Sequence, residues 1–223
     1  AIDLAIEYLE FERIYFAIFA DKRGRLYCMG TTITYQTDQK IKSLITFANS
    51  EPLNEVGKYW LYVHASNTWG NDKVSYGERY KFTEDKLDEF ISYADAPLDN
   101  KGWNFADKPM EFLNTCMHLK RLKKEGLGYS CNLPVSMDAT CSGLQVLSIL
   151  MRDENTARKV NVLPSTEPQD IYSAVAEKVK AEVELKAQEG SREANRWLQF
   201  GITRKIVKRN IMTYVYSLKP YGA

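Results

Sequence analysis

Apolar and polar positions along the 223 residues follow several distinct rhythms. Ile2, Leu4, Ile6 and Leu9 open the chain with the spacing of packed structure. Between residues 13 and 35 apolar and polar positions alternate on both sides of Asp21-Lys22-Arg23-Gly24-Arg25, which predicts two short strands or extended segments joined by a glycine-dependent bend. Helical spacing follows over 39–48, 56–68 and 75–94, punctuated by turn signals at Glu51-Pro52, Trp69-Gly70-Asn71-Asp72 and Ala96-Pro97. A further helix is expected over 108–124. Cys131 to Asp138 reads as a short extended run, and Leu144 to Arg152 as a helix entered through Thr140-Cys141-Ser142-Gly143, giving strand, turn and helix. Ile171, Val175, Val179 and Val183 recur every four residues, with Pro168 placed for the first helical turn and Gly190 for the end. A last helix is predicted from about Ser191 to Ser217, with an interruption at Gly201. There is no internal repeat and no low-complexity linker, so the expected fold class is α+β, mostly helical, with a small sheet.

Composition narrows this further. A chain with 44% hydrophobic and 12% aromatic residues can fill a sizeable core, which argues against disorder. With 26% charged residues and no apolar run near the roughly 20 residues that span a bilayer, the expectation is a soluble, intracellular-type polypeptide with neither a membrane span nor a secretory leader. The formal charge of +1 does not advertise a polyanion partner, so any such site must come from local clustering. Two histidines nearly exclude a histidine-rich metal site. Cys28, Cys116, Cys131 and Cys141 show no CxxC spacing, and a chain of this length needs no disulfides, so reduced thiols are expected.

Local clustering does occur in the last predicted helix. Arg204, Lys208, Met212 and Tyr216 follow at intervals of four and share one slowly drifting stripe, and Lys205 and Arg209 add two more cations. Like charges at i and i+4 oppose an isolated helix, so the arrangement makes sense against a polyanion such as a triphosphate; the alternative is a solvated basic face. Asp138 stands at the end of the Leu133-Pro134-Val135-Ser136-Met137 run, where a carboxylate leaving a sheet can hold a divalent cation, or equally can cap the next helix. Thr140 and Ser142 stand nearer the helix start and would cap it as well. The Asp21 to Arg25 turn can present two guanidinium groups to phosphates, with Asp21 orienting one, or be a plain hairpin turn. Lys73 is a weaker candidate cation. His64 and His118 pair with no carboxylate cluster or cysteine at catalytic spacing, and Tyr59-Trp60 and Tyr15-Phe16 are expected in the core.

Taken together, these residues resemble the single-subunit, bacteriophage-type RNA polymerases, a family of phages, mitochondria, chloroplasts and some linear plasmids. Asp21 to Arg25 matches the DxxGR element, Asp138-Ala139-Thr140-Cys141-Ser142-Gly143-Leu144-Gln145 matches motif A, and Arg204 through Tyr216 matches motif B with its RxxxKxxxMxxxY spacing. Arg152-Asp153-Glu154, Asn161 to Ser165 and Gln169-Asp170-Ile171-Tyr172 also look like this family. The resemblance implies a segment of a right-hand polymerase, with residues 1–165 a palm-type region and 166–223 the start of the fingers. It implies Mg²⁺ held by Asp138 with the carbonyl of Ala139, and a two-metal nucleotidyl transfer from ribonucleoside triphosphates on a DNA template to give RNA. Asp138, Lys208 and Tyr216 would be catalytic. Arg204, Lys208, Tyr216, Tyr172 and Lys73 would bind nucleotide, and Arg23, Arg25 and Arg209 nucleic acid.

Two competing classes are a family A DNA polymerase segment and a non-catalytic nucleic-acid-binding subunit of a split polymerase. The former resemble this chain in motifs A and B but carry Phe or Tyr where Met212 stands, and a Glu gate against ribose where Gly143 stands. Without a side chain at 143 the pocket is expected to stay open to a ribose hydroxyl. Joint retention of Asp138, Arg204, Lys208 and Tyr216 argues against the non-catalytic subunit. Ser217 replaces the glycine that usually follows the motif B tyrosine, and the link between the two motifs is compact, as in a small phage or plasmid enzyme. The family's second catalytic aspartate, carried in a His-Asp-Ser hairpin, is not in this sequence, since neither His64 nor His118 precedes Asp. The chain is therefore expected to be a piece of a longer polymerase or one chain of a split one, inactive alone, with the hairpin on the remainder. Its expected location is the cytoplasm of a host bacterium, or the mitochondrial matrix for an organellar or plasmid-borne enzyme.

Overall fold

The computed structural model describes residues 2–137 and 140–216. The chain divides into two compact units, Ala1–Ser136 and Met137–Ala223. Among the described residues the architecture is mostly helical with two small two-stranded sheets, an α+β arrangement. Among the described residues no helix is long and apolar enough to cross a membrane. All four cysteines are free thiols.

The first unit begins with α1 (Ile2–Tyr8) and the antiparallel hairpin β1 (Ile18–Ala20) and β2 (Leu26–Cys28), with Ile18 opposite Cys28. The bend is organised by Asp21, whose carboxylate accepts the N–H groups of Arg23 (2.8 Å) and Arg25 (3.0 Å). Gly24 takes φ +77°, where a side chain would be strained. A single turn, α2 (Gln39–Lys42), precedes β3 (Glu51–Pro52) and α3 (Glu55–Trp69), which Asn54 caps and Gly70 ends at φ +115°. Then come α4 (Tyr76–Asp85), opened by a reciprocal Ser75–Glu78 capping box, α5 (Leu87–Asp95), a 3₁₀ turn (Lys101–Phe105), α6 (Pro109–Glu125) with its proline in the first turn, and β4 (Ser130–Cys131), antiparallel to β3. The core lies between α3, α5 and α6, where Phe90 and Phe112 are wholly buried and meet edge to face at 4.8 Å.

In the second unit α7 (Ser142–Met151) and the short α8 (Glu154–Lys159) precede α9 (Ile171–Gln188), α10 (Arg192–Phe200) and α11 (Arg204–Tyr214). Val175, Val179 and Val183 of the four-residue repeat on α9 line an apolar cavity of about 310 Å³ with Trp197 of α10 and Ile206 and Val207 of α11. Gly201, at φ +87°, separates α10 from α11, so the expected helix over 191–217 is two helices, the second ending at Tyr214.

Several expectations are corrected. The 39–48 helix stops after one turn because Phe47 exchanges bonds with Asn132, its N–H reaching the Asn132 carbonyl at 3.0 Å. The 75–94 helix breaks at Lys86, where ψ is 12°. Pro168 lies before α9, whose cap is Asp170. The 131–138 run pairs only through Ser130 and Cys131; among the described residues no neighbour supplies a ladder to 133–137, and Val135 and Met137 are exposed. Ile2, Ile6 and Leu9 are exposed rather than packed. Tyr15 is also exposed and Trp60 half so, whereas Tyr59 stacks on Tyr80 at 5.3 Å. The predicted metal ligands Asp138 and Ala139, and Ser217, lie outside the described residues.

Candidate functional site

The stripe predicted on the last helix acquires a physical partner in the second unit. Asp170 caps α9 by accepting the Tyr172 N–H (3.1 Å) and the Ser173 hydroxyl (2.8 Å), and the same carboxylate accepts Arg204 Nε at 2.5 Å. The Arg204 guanidinium lies 5.2 Å from the centre of the Tyr172 ring and Lys208 Nζ lies 5.8 Å from it. One buried aromatic ring therefore carries two cations, one turn apart on α11. Burial alone would raise the Asp170 carboxyl, but Arg204, Ser173 and the Tyr172 N–H outweigh it and hold the group below its ordinary value. The Tyr172 phenol is pushed up, by burial first and then by the neighbouring Cys141.

Cys141 is the N-cap residue of α7, in the left-handed region at φ 44°, and its side chain makes no cap bond. The cap position thus falls three residues beyond Asp138, and neither Thr140 nor Ser142 occupies it. A side chain at Gly143, in the first turn of α7, would come 2.6 Å from Val215 Cγ2 and 3.3 Å from the Tyr216 hydroxyl. The start of α7 therefore meets the end of α11. Lys205 and Arg209 are exposed and do not share the Tyr172 ring.

In the first unit, Asp21 pairs with Arg23 through Nε at 2.8 Å, and Arg23 also donates to the Tyr27 hydroxyl at 3.1 Å. Asp21 thus orients Arg23, and Arg25 enters through its backbone. Lys73 is exposed and pairs with Asp72 at 2.7 Å. Its loop is held by the buried Arg79, which donates to the carbonyls of Val74 and Asp72 and to Asn67 Oδ1. His64 and His118 are buried structural groups.

Sequence reasoning missed the roles of Asp170 and Arg79. Asp170 directly before an apolar i, i+4 run is a cap signal, but its bond to a residue 34 positions away has no local trace. Among the described residues no group of three or more His, Cys, Asp or Glu could hold a metal ion. Asp170 is itself engaged by three donors.

A family profile described as DNA-dependent RNA polymerase matches residues 51–223. The chain is 34% identical to the T7 RNA polymerase of Escherichia phage T7 over 245 aligned residues, which cover 99% of this chain and 28% of that protein. It is 35% identical to the mitochondrial DNA-directed RNA polymerase of Schizosaccharomyces pombe (95% of this chain, 18% of the relative) and 36% identical to that of Homo sapiens (91% and 17%). The chain thus spans little more than a quarter of the phage relative. A profile over most of its length and relatives aligned along nearly all of it place this chain in the single-subunit, phage-type DNA-dependent RNA polymerase family.

Proposed function

We propose that this chain is a catalytic-core segment of a DNA-dependent RNA polymerase, with residues 1–165 in the palm and 166–223 opening the fingers, and that it grips the incoming ribonucleoside triphosphate. The observation that carries this reading is the placement of Arg204 and Lys208 over one Tyr172 ring, with Arg204 tethered to Asp170. Two cations one turn apart match a chain of phosphates, and charge-assisted bonds to phosphate are the strong kind. Phosphoryl transfer asks the protein chiefly for positioning and electrostatic stabilisation, which such a pair provides.

Tyr216 would lie beneath the nucleotide, with its hydroxyl near the ribose. Lys73 would contribute to nucleotide binding, and Arg23, Arg25 and Arg209 would contact the DNA template or the RNA product. Asp138, with the Ala139 carbonyl, is the proposed Mg²⁺ ligand set; the ions would neutralise charge on the attacking and leaving oxygens. The rest of the polymerase, in the same chain or a second one, would supply the other carboxylate. Such an enzyme would work in the cytoplasm of an infected bacterium or in a mitochondrial matrix.

The test is ribonucleotide addition to a primed DNA template by the complete polymerase, wild type against Asp138→Asn. The expected result is loss of elongation with template binding retained. Preserved turnover per folded molecule would overturn the proposal.

A further inference from the structure

The carboxylate of Asp170 does two separable jobs. Its Oδ1 accepts the Tyr172 N–H, while Oδ2 accepts the Ser173 hydroxyl and Arg204 Nε. Capping does not require a charge, because Asn and Ser cap helices about as well as Asp. Stability does not require the ion pair either: the two side chains are 41% and 33% exposed, and pairs so open to water contribute little to folding.

The geometry of the contact indicates what the charge is for. A guanidinium has five N–H donors, and Asp170 takes the one on Nε. That bond, with the Tyr172 ring 5.2 Å from the guanidinium carbon, fixes the plane and direction of the group. The two terminal nitrogens keep the planar fork that binds phosphate through paired bonds. Among the described residues neither terminal nitrogen meets an acceptor.

We propose that Asp170 is a positioning residue for nucleotide binding, holding Arg204 by its inner nitrogen so that its outer edge is presented to the triphosphate. This rests on the proposal that Arg204 binds the triphosphate. Removing the carboxylate leaves Arg204 charged but free to rotate, so nucleotide affinity should suffer while the fold does not.

The experiment measures kcat and KM for ribonucleotides, and thermal melting, in the complete polymerase carrying Asp170→Asn, Asp170→Ser, Arg204→Ala or the double change Asp170→Ser/Arg204→Ala. Both cap-competent variants should melt close to wild type yet raise the nucleotide KM on the order of ten-fold, with a smaller change in kcat. Arg204→Ala should raise it further, and the double variant should be no worse than Arg204→Ala alone. A wild-type KM in both Asp170 variants beside an impaired Arg204→Ala would overturn this inference and leave the parent proposal standing. Full additivity in the double variant would overturn it likewise. Unchanged nucleotide kinetics in Arg204→Ala would overturn both.

Discussion

Gly143 and Tyr216 face each other: a Cβ at position 143 would stand 3.3 Å from the Tyr216 hydroxyl and 2.6 Å from the adjoining Val215 Cγ2. The missing side chain at 143 predicts open space. In the structure that space is taken up by the end of α11, so the glycine permits contact between motif A and motif B.

Gly143→Ala should therefore push Val215 and Tyr216 away from α7. Overpacking of this kind costs about 1–3 kcal/mol. Thermal denaturation together with ribonucleotide against deoxyribonucleotide use should report both the strain and the moved hydroxyl. If neither changes, the end of α11 is not seated on Gly143 in the working enzyme.

Tyr216→Phe keeps the ring and deletes the hydroxyl. A site built to bond a substrate hydroxyl can reject the analogue lacking it by roughly 10⁴ or more, because a polar group is left unpaired. If Tyr216 bonds the ribose hydroxyl, directly or through water, the variant should use deoxynucleotides nearly as well as ribonucleotides, with a modest fall in rate. Competition between the two substrate types measures this. Discrimination as sharp as wild type would make Tyr216 a packing residue.

Acid should loosen the first unit through its two histidines. His64 is pushed down to about 4 by burial and then by Lys108 and His118, and His118 to about 4 by burial and then by Arg121. Both folded values lie below the ordinary 6.5, so the unfolded chain binds more protons between pH 6.5 and 4. Their contribution is complete above that window and is lost as pH falls through it, by roughly 2 kcal/mol each on reaching pH 5. Once protonated, His118 can only donate from the Nδ1 that faces the Tyr129 hydroxyl. Melting curves at pH 7.5 and 5, for wild type and His118→Gln, should show a smaller acid shift in the variant. Equal shifts would remove His118 from the account.

What could be read from the sequence was local. The Asp21 to Arg25 bend, the limits of α3 and α6 and the break at Gly201 are written in caps, glycines and periodicity. What could not be read depends on residues far apart. Asn132 shortens the 39–48 helix from 85 positions away, and no pattern on α1 says that Ile2 and Ile6 stay exposed. The stripe of Arg204, Lys208 and Tyr216 was visible as spacing. That Arg204 and Lys208 share the Tyr172 ring, and that Asp170 tethers Arg204, required the packing of α9 against α11.

The most direct test of the central claim is single-ribonucleotide incorporation by the complete polymerase with Arg204→Ala and with Lys208→Ala. If these cations grip the triphosphate, each change removes a charge-assisted contact worth about 1.5–3 kcal/mol, and kcat/KM should fall roughly 10- to 150-fold while melting stays near wild type. Unchanged kcat/KM in both variants would contradict the account and return the basic stripe of α11 to a solvated helix face.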